Sequence, residues 1–235
     1  MSRTRLVALV VVALVVAAAC TTADSDPNRE TDSGFIYIDS EGSHICGSML
    51  ESYPPQCGEP SLKLLDLDPD SVVALMSPTD PALAPVSWTD YTTTVEGHKG
   101  TNGLSDVVLA DPVHSDQTGG FLLRVADLGI TVGDPVTWPF DLTNLTDAST
   151  EMTFVNGQRM EVTLSNGSDE LYRWSDGMFF TQAIEQVELA AGATLPFVVT
   201  TDPIDLPPGE YTAQAWVTAT ETSDVVVTWN IEITS

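Results

Sequence analysis

Basic residues are scarce in this chain. Two lysines, Lys63 and Lys99, and six arginines stand against 34 acids, for a formal net charge of −26 over 235 residues. A surface of that sign repels nucleic acid and anionic headgroups, which excludes nucleic acid as a partner. The expectation is that it serves solubility, the alternatives being a saline habitat or attraction of basic partners. Histidine is nearly absent, with only His44, His98 and His114. None of the three stands near a nucleophile motif, and no Gly-x-Ser-x-Gly elbow occurs. Phosphate-binding glycine loops and basic–aromatic patches are also missing. The chain reads as a non-enzyme, with no catalytic residues, no metal and no cofactor.

Cysteine is limited to Cys20, Cys46 and Cys57. Cys20 follows Arg3 and Arg5, the apolar run Leu6 to Val16, and the small residues Ala17-Ala18-Ala19. That order is a secretory signal, residues 1–19, and a cysteine directly behind it resembles a bacterial lipoprotein junction. The apolar run is shorter than the roughly 20 residues a membrane-spanning helix needs. Cys20 is therefore the expected lipid-bearing residue. It would anchor the protein on the extracytoplasmic face of the cell membrane, where two or more acyl chains give stable attachment. Cys46 and Cys57 then remain as a pair in an oxidising compartment, and the expectation is a disulfide.

Metal and acid–base sites are weakly signalled. His44-x-Cys46 has the spacing of two ligands, but exported thiols prefer each other. Asp66-x-Asp68-x-Asp70 opens like a calcium loop, yet Ser71 replaces the turn glycine and Ser77 the closing glutamate, so a solvated acidic loop is expected. Glu185 and Glu188 would fall on opposite faces of a strand and read as surface charges. Asn144-Leu145-Thr146 and Asn166-Gly167-Ser168 match the glycosylation sequon.

Residues 20–34 contain no large apolar side chain and are expected to form a flexible tether. From Phe35 onward the pattern is β. Phe35–Ile38, Ser61–Leu67, Val86–Val95 and Leu104–Leu109 are strand candidates, with a turn expected across the glycines of Glu96–Gly103. They define a small disulfide-stapled β-domain over 35–112. Residues 113–120, ending in Gly119-Gly120, are expected to be an interdomain linker. Beyond them, Val136, Trp138, Phe140 and Leu142 share one face, and Tyr211 to Val217 and Val225 to Ile233 alternate. Met152 and Phe154 are expected to pair across Asn156-Gly157 with Met160, Val162 and Leu164, since Asn-Gly between alternating runs signals a hairpin. A second hairpin is expected across Gly192. The reading is all-β: an antiparallel immunoglobulin-like sandwich over 121–235 beside the smaller β-domain.

The densest motif is Leu171 to Ala183, which holds Tyr172, Arg173, Trp174, Ser175, Asp176, Gly177, Phe179, Phe180 and Gln182. Ser-Asp-Gly favours a tight turn, and the aromatics around it must be buried or form a contact surface. A strand, a turn and an apolar segment plugging the fold are expected, with Trp174 in the core and Arg173 facing outward onto a carboxylate. Together with Leu189 to Leu195, Leu206 to Ala213, Asn144-Leu145-Thr146 and Phe154 to Gln158, this block resembles the BsuPI family of intracellular proteinase inhibitors. The resemblance covers about 121–235. It implies a module that blocks a serine protease by steric occlusion, with Ser175–Gln182 or Thr201–Pro208 as the contacting loop. The alternative is a structural or ligand-presenting envelope protein without inhibitory activity. The partners implied are the membrane, through the lipid, and a protease or another envelope protein.

Overall fold

The computed structural model describes residues 28–78, 80, 83 and 85–235. The expected signal peptide, Cys20 and the tether as far as residue 27 lie outside them. Among the described residues there is no α-helix, and the chain is built from seventeen strands.

Six strands form the first unit: β1 (Arg29–Asp39), β2 (Gly42–Leu50), β3 (Gln56–Leu64), β4 (Ser87–Trp88), β5 (Thr93–Gly100) and β6 (Gly103–Leu109). The second half of β1 pairs antiparallel with β2 and its first half with β5. β2 pairs with β3, β3 meets β6 in parallel at Leu64–Leu104, and β5 pairs with β6. The five strands β1-β2-β3-β6-β5 thus close on themselves, which removes exposed edges. Ile36, Ile45, Leu64, Val95 and Leu104 fill the interior. The Cys46–Cys57 disulfide ties β2 to β3, with 5.4 Å between the Cα atoms.

Two expectations about this unit change. Tether residues 29–34 are the start of β1, because pairing with β5 draws on backbone groups and needs no apolar side chains. Ion pairs Arg29–Glu96 (3.3 Å) and Lys99–Glu30 (2.7 Å) accompany it. The expected turn over Glu96–Gly103 shrinks to Thr101-Asn102; Glu96–Gly100 continue β5 and Gly103 opens β6. Lys63, the other lysine, donates to the Glu41 carbonyl at 2.6 Å.

The second unit runs through β7 (Val113–Thr118), β8 (Phe121–Ala126), β9 (Ile130–Thr131), β10 (Val136–Asn144), β11 (Thr150–Phe154), β12 (Met160–Asn166), β13 (Asp169–Arg173), β14 (Glu185–Leu189), β15 (Thr194–Thr201), β16 (Gly209–Val217) and β17 (Val227–Thr234). One sheet has the order β15-β10-β8-β7 and the other β13-β12-β16-β17-β9, with β11 and β14 paired apart. A common core fills the space between: Trp138, Phe140 and Leu142 from β10, Met152 and Phe154 from β11, Val162 and Leu164 from β12, and the inward residues of β16 and β17. Each such side chain contributes roughly 1.5–3 kcal/mol by leaving water. The architecture is the expected antiparallel, immunoglobulin-like sandwich.

Three local expectations fail. The expected linker 113–120 is strand β7 plus the turn Gly119-Gly120, paired from Val113–Ala126 to Thr118–Phe121. Its polar sequence suits an edge strand, exposed on one face and half-buried at His114 and Asp116 on the other. Neither expected hairpin forms. β11 pairs with β14, whereas β12 pairs with β13 and β16, so Asn156-Gly157 carries the chain from one sheet to the other. Likewise β14 and β15, on either side of Gly192, pair with β11 and β10 rather than with each other. In a sandwich, burying both inner faces outweighs a local turn preference.

Asn144 explains the motif around it. Its buried side chain donates to the carbonyls of Ala148 and Leu189, both at 2.9 Å, and accepts from the Thr146 amide and hydroxyl. The amide is used up in holding the bend between β10 and β11.

The two units meet at a polar clasp. Asp141 on β10 accepts the Ala74 amide at 2.8 Å and the Arg124 guanidinium at 2.6 Å, and Arg124 also reaches the Asp70 carbonyl. Tyr91 donates to the Val73 carbonyl at 2.6 Å. Burial pushes Asp141 upward from the usual carboxylate range, against the opposing pull of Arg124 and Ala74.

Candidate interaction surface

The aromatic block begins on β13 and leaves it as a loop, residues 174–184, that contains no strand. Its base is held by Glu161. This carboxylate sits on β12 with only 3% of its residue surface exposed. It accepts the Ser175 amide at 3.1 Å, the Ser175 hydroxyl at 2.5 Å and the Gln158 amide nitrogen at 3.0 Å. Arg173 approaches it at 3.4 Å and makes a two-pronged pair with Glu170, at 2.9 and 2.7 Å. The Glu170 bonds, reinforced by the charge of Glu161, raise the Arg173 pKa further. A buried carboxylate needs such donors, because an unpaired one is costly in an apolar interior.

From this base the chain makes two turns, with Asp176 N–H donating to Arg173 C=O and Met178 N–H to Ser175 C=O. Gly177 has φ +77°, a conformation that suits the glycine of Ser-Asp-Gly. On the far side, Gly157 N–H donates to Thr181 C=O at 2.8 Å. A Cβ on Gly157 would lie 2.5 Å from the Thr181 hydroxyl, so any larger residue would push that side chain aside.

The aromatics divide sharply. Trp174 packs partly buried against the sandwich core, with Phe180 tilted over it at a centroid distance of 5.6 Å. Phe179 points the other way and is 101% exposed. Met178 and Ile184 are exposed as well. The expected apolar plug is therefore half wrong. Trp174 and Phe180 cover the sheet from its edge, and Phe179 stands in solvent because the Gly177 turn throws its side chain outward. Asp176 and Gln182 are exposed, and Gln182 donates to the Phe180 carbonyl.

The two loops expected from sequence lie side by side. Tyr172, Arg173, Trp174, Asp176 and Met178 line a shallow groove of about 490 Å³ whose opposite wall is Thr200–Pro203. Burial raises the Tyr172 hydroxyl pKa, against the opposing pull of the neighbouring Thr201 side chain.

The other singled-out residues have structural partners. Asp66 accepts the Asp106 amide and Asp68 caps the turn at Pro69–Ser71. His44 lies 3.9 Å from Asp39, and His114 stacks on Trp229. No group of metal-ligating side chains assembles among the described residues. Glu185 pairs with Arg159, and Glu188 accepts from Ser149.

Two sheets over one core, antiparallel except where β9 joins β17 in parallel, with a braced aromatic loop at their edge, define an immunoglobulin-like sandwich. Residues 125–222 match the family model of BsuPI, described as intracellular proteinase inhibitor. The match lies in the C-terminal region and includes Glu161 and the whole loop. No curated protein matches the chain. Among solved structures, the β-glucosidase of Listeria innocua in complex with glucose is 15% identical, with 52% of this chain and 16% of that chain covered and a TM-score of 0.30. The alkylpurine DNA glycosylase AlkC of Pseudomonas fluorescens is 13% identical, covering 52% and 30%, with a TM-score of 0.31. The CARDB domain of a Pyrococcus furiosus protein, in complex with metal ions, is 12% identical, covering 52% and 88%, with a TM-score of 0.27. The matched part thus spans about a sixth of the glucosidase, and scores this low carry no argument about fold or activity.

Proposed function

We propose that this chain is a non-catalytic, lipid-anchored protein on the extracytoplasmic face of the membrane, and that its sandwich binds and inhibits a proteinase. The observation that carries the inhibitor reading is the BsuPI match over 125–222. Two further features support it. The loop within that match is braced at its base and exposed at its tip, as a surface that occludes a cleft must be. Among the described residues, Cys46 and Cys57 are bonded to each other, and the three histidines sit against Asp39, Asp106 and Trp229. The anchoring reading rests on the sequence Ala17-Ala18-Ala19-Cys20 behind an apolar run.

The test is a proteolysis assay on the cognate envelope fraction. Added protein should lower serine-proteinase activity in proportion to its concentration, and immobilised protein should retain the enzyme responsible. Undiminished activity with no proteinase retained would leave the structural or ligand-presenting alternative standing. For anchoring, Cys20→Ser should abolish lipid labelling and release the protein from the membrane fraction. Unchanged labelling would sink that part of the reading.

A further inference from the structure

The loop described above separates two neighbouring phenylalanines, and that separation points to a specific role. Phe180 shows that the loop can bury a ring, since it lies over Trp174. Phe179 is left wholly in water, although covering it would gain free energy like any other apolar side chain. Among the described residues no hydrogen bond takes the Phe179 amide or carbonyl. Both its side chain and its backbone are thus available to a partner. Its supports are fixed, by Glu161 through Ser175 on one side and by Gly157 through Thr181 on the other. A tip held at both ends loses little freedom on binding, which is how rigid loops gain affinity.

We propose that Phe179 is the anchor this sandwich inserts into its target. The target is a serine endoproteinase whose specificity pocket accepts aromatic side chains. The inference rests on the inhibitor reading above and deepens it by naming the inserted residue and the pocket class. An exposed aromatic on a preorganised loop matches what interface hot spots present, and a free backbone at that residue can pair with an enzyme cleft as an extended peptide does. A proteinase is favoured over a bilayer as the occupant for two reasons. The family match spans the loop, and the chain carries a net charge of −26, with Asp176 and Glu185 close to the tip in sequence, which opposes approach to anionic lipid.

The experiment uses the full chain with chymotrypsin, whose pocket takes aromatics, and trypsin, whose pocket takes cations, each assayed on a small chromogenic peptide. Wild type should inhibit chymotrypsin and spare trypsin. Phe179→Ala should weaken inhibition about 100-fold or more, as loss of an aromatic hot spot does, with an unchanged melting temperature because the ring packs against nothing. Phe179→Arg should transfer inhibition to trypsin. If Phe179→Ala inhibits like wild type, the inference falls while the inhibitor reading stands. Wild type that lowers envelope proteolysis but neither purified enzyme likewise overturns the inference alone. Inhibition of nothing overturns both. Sedimentation of the Cys20→Ser chain with phosphatidylcholine vesicles, lost in Phe179→Ala at undiminished inhibition, would make the tip a membrane contact and overturn the proposal.

Discussion

Replacing Glu161 with alanine tests whether one buried carboxylate holds the loop. The substitution removes the acceptor for the Ser175 amide, the Ser175 hydroxyl and the Gln158 side chain. Arg173 retains Glu170, so the guanidinium does not become an orphan, but the Ser175 amide does, and a void opens beneath β13. Removing one member of a buried charged network costs about 3–5 kcal/mol. A domain holds only about 5–15 kcal/mol in total, so Glu161→Ala should sit near the threshold of folding. Glu161→Gln keeps the shape and one good acceptor and should cost about 1–2 kcal/mol, the loss of charge assistance from two or three bonds. The assay is the urea midpoint of both variants at constant slope. If Glu161→Ala costs less than about 1 kcal/mol, within the range of exposed pairs, then the carboxylate is not the brace described.

Other substitutions check neighbouring parts of the structure. Trp174→Ala should cost about 2–3 kcal/mol, less than the 3–5 of a fully enclosed tryptophan, while Arg173→Ala should cost about 1 kcal/mol or less; denaturant midpoints decide. Reducing the Cys46–Cys57 bond should lower stability by about 2.5–3 kcal/mol by the chain-entropy model, read as the midpoint shift with and without reductant. Asp141 has a native pKa raised by burial, so its contribution is present below the unfolded value and fades as pH climbs through the native one. Relative to Asp141→Asn, which does not titrate, wild type should therefore lose stability as pH rises from below the ordinary carboxylate range to above it, measured by denaturation at acidic and neutral pH.

The sequence was most legible where alternation was long. The inward residues of β10, β16 and β17 are those the period of two selects, and all are buried. It was least legible where pairing rather than side-chain pattern decides. Residues 29–34 and 113–118 carry little apolar character, yet both are strands, because backbone hydrogen bonds leave no periodic mark. The Asn156-Gly157 signal was local, and the contest between sheets that overrode it was not. Glu161 escaped notice for a related reason. An acid within Met160–Leu164 reads as the outward face of a strand, and its burial depends on Arg173 and Ser175, more than ten residues away. The clue was that it is the only charge in a run buried on both faces. The Ser-Asp-Gly turn was legible, but which phenylalanine would turn inward depends on where the Trp174 ring lies.

The placement of the lysines has a practical corollary. Lys63 lies on β3 and Lys99 on β5, both in the closed barrel, and the sandwich has no lysine at all. Side-chain amine chemistry can therefore reach the molecule only through its N-terminal unit. Coupling to an activated ester surface would present every copy with the Phe179 loop unmodified. The native charge distribution thus supplies an oriented display of the inhibitory candidate without engineering a handle.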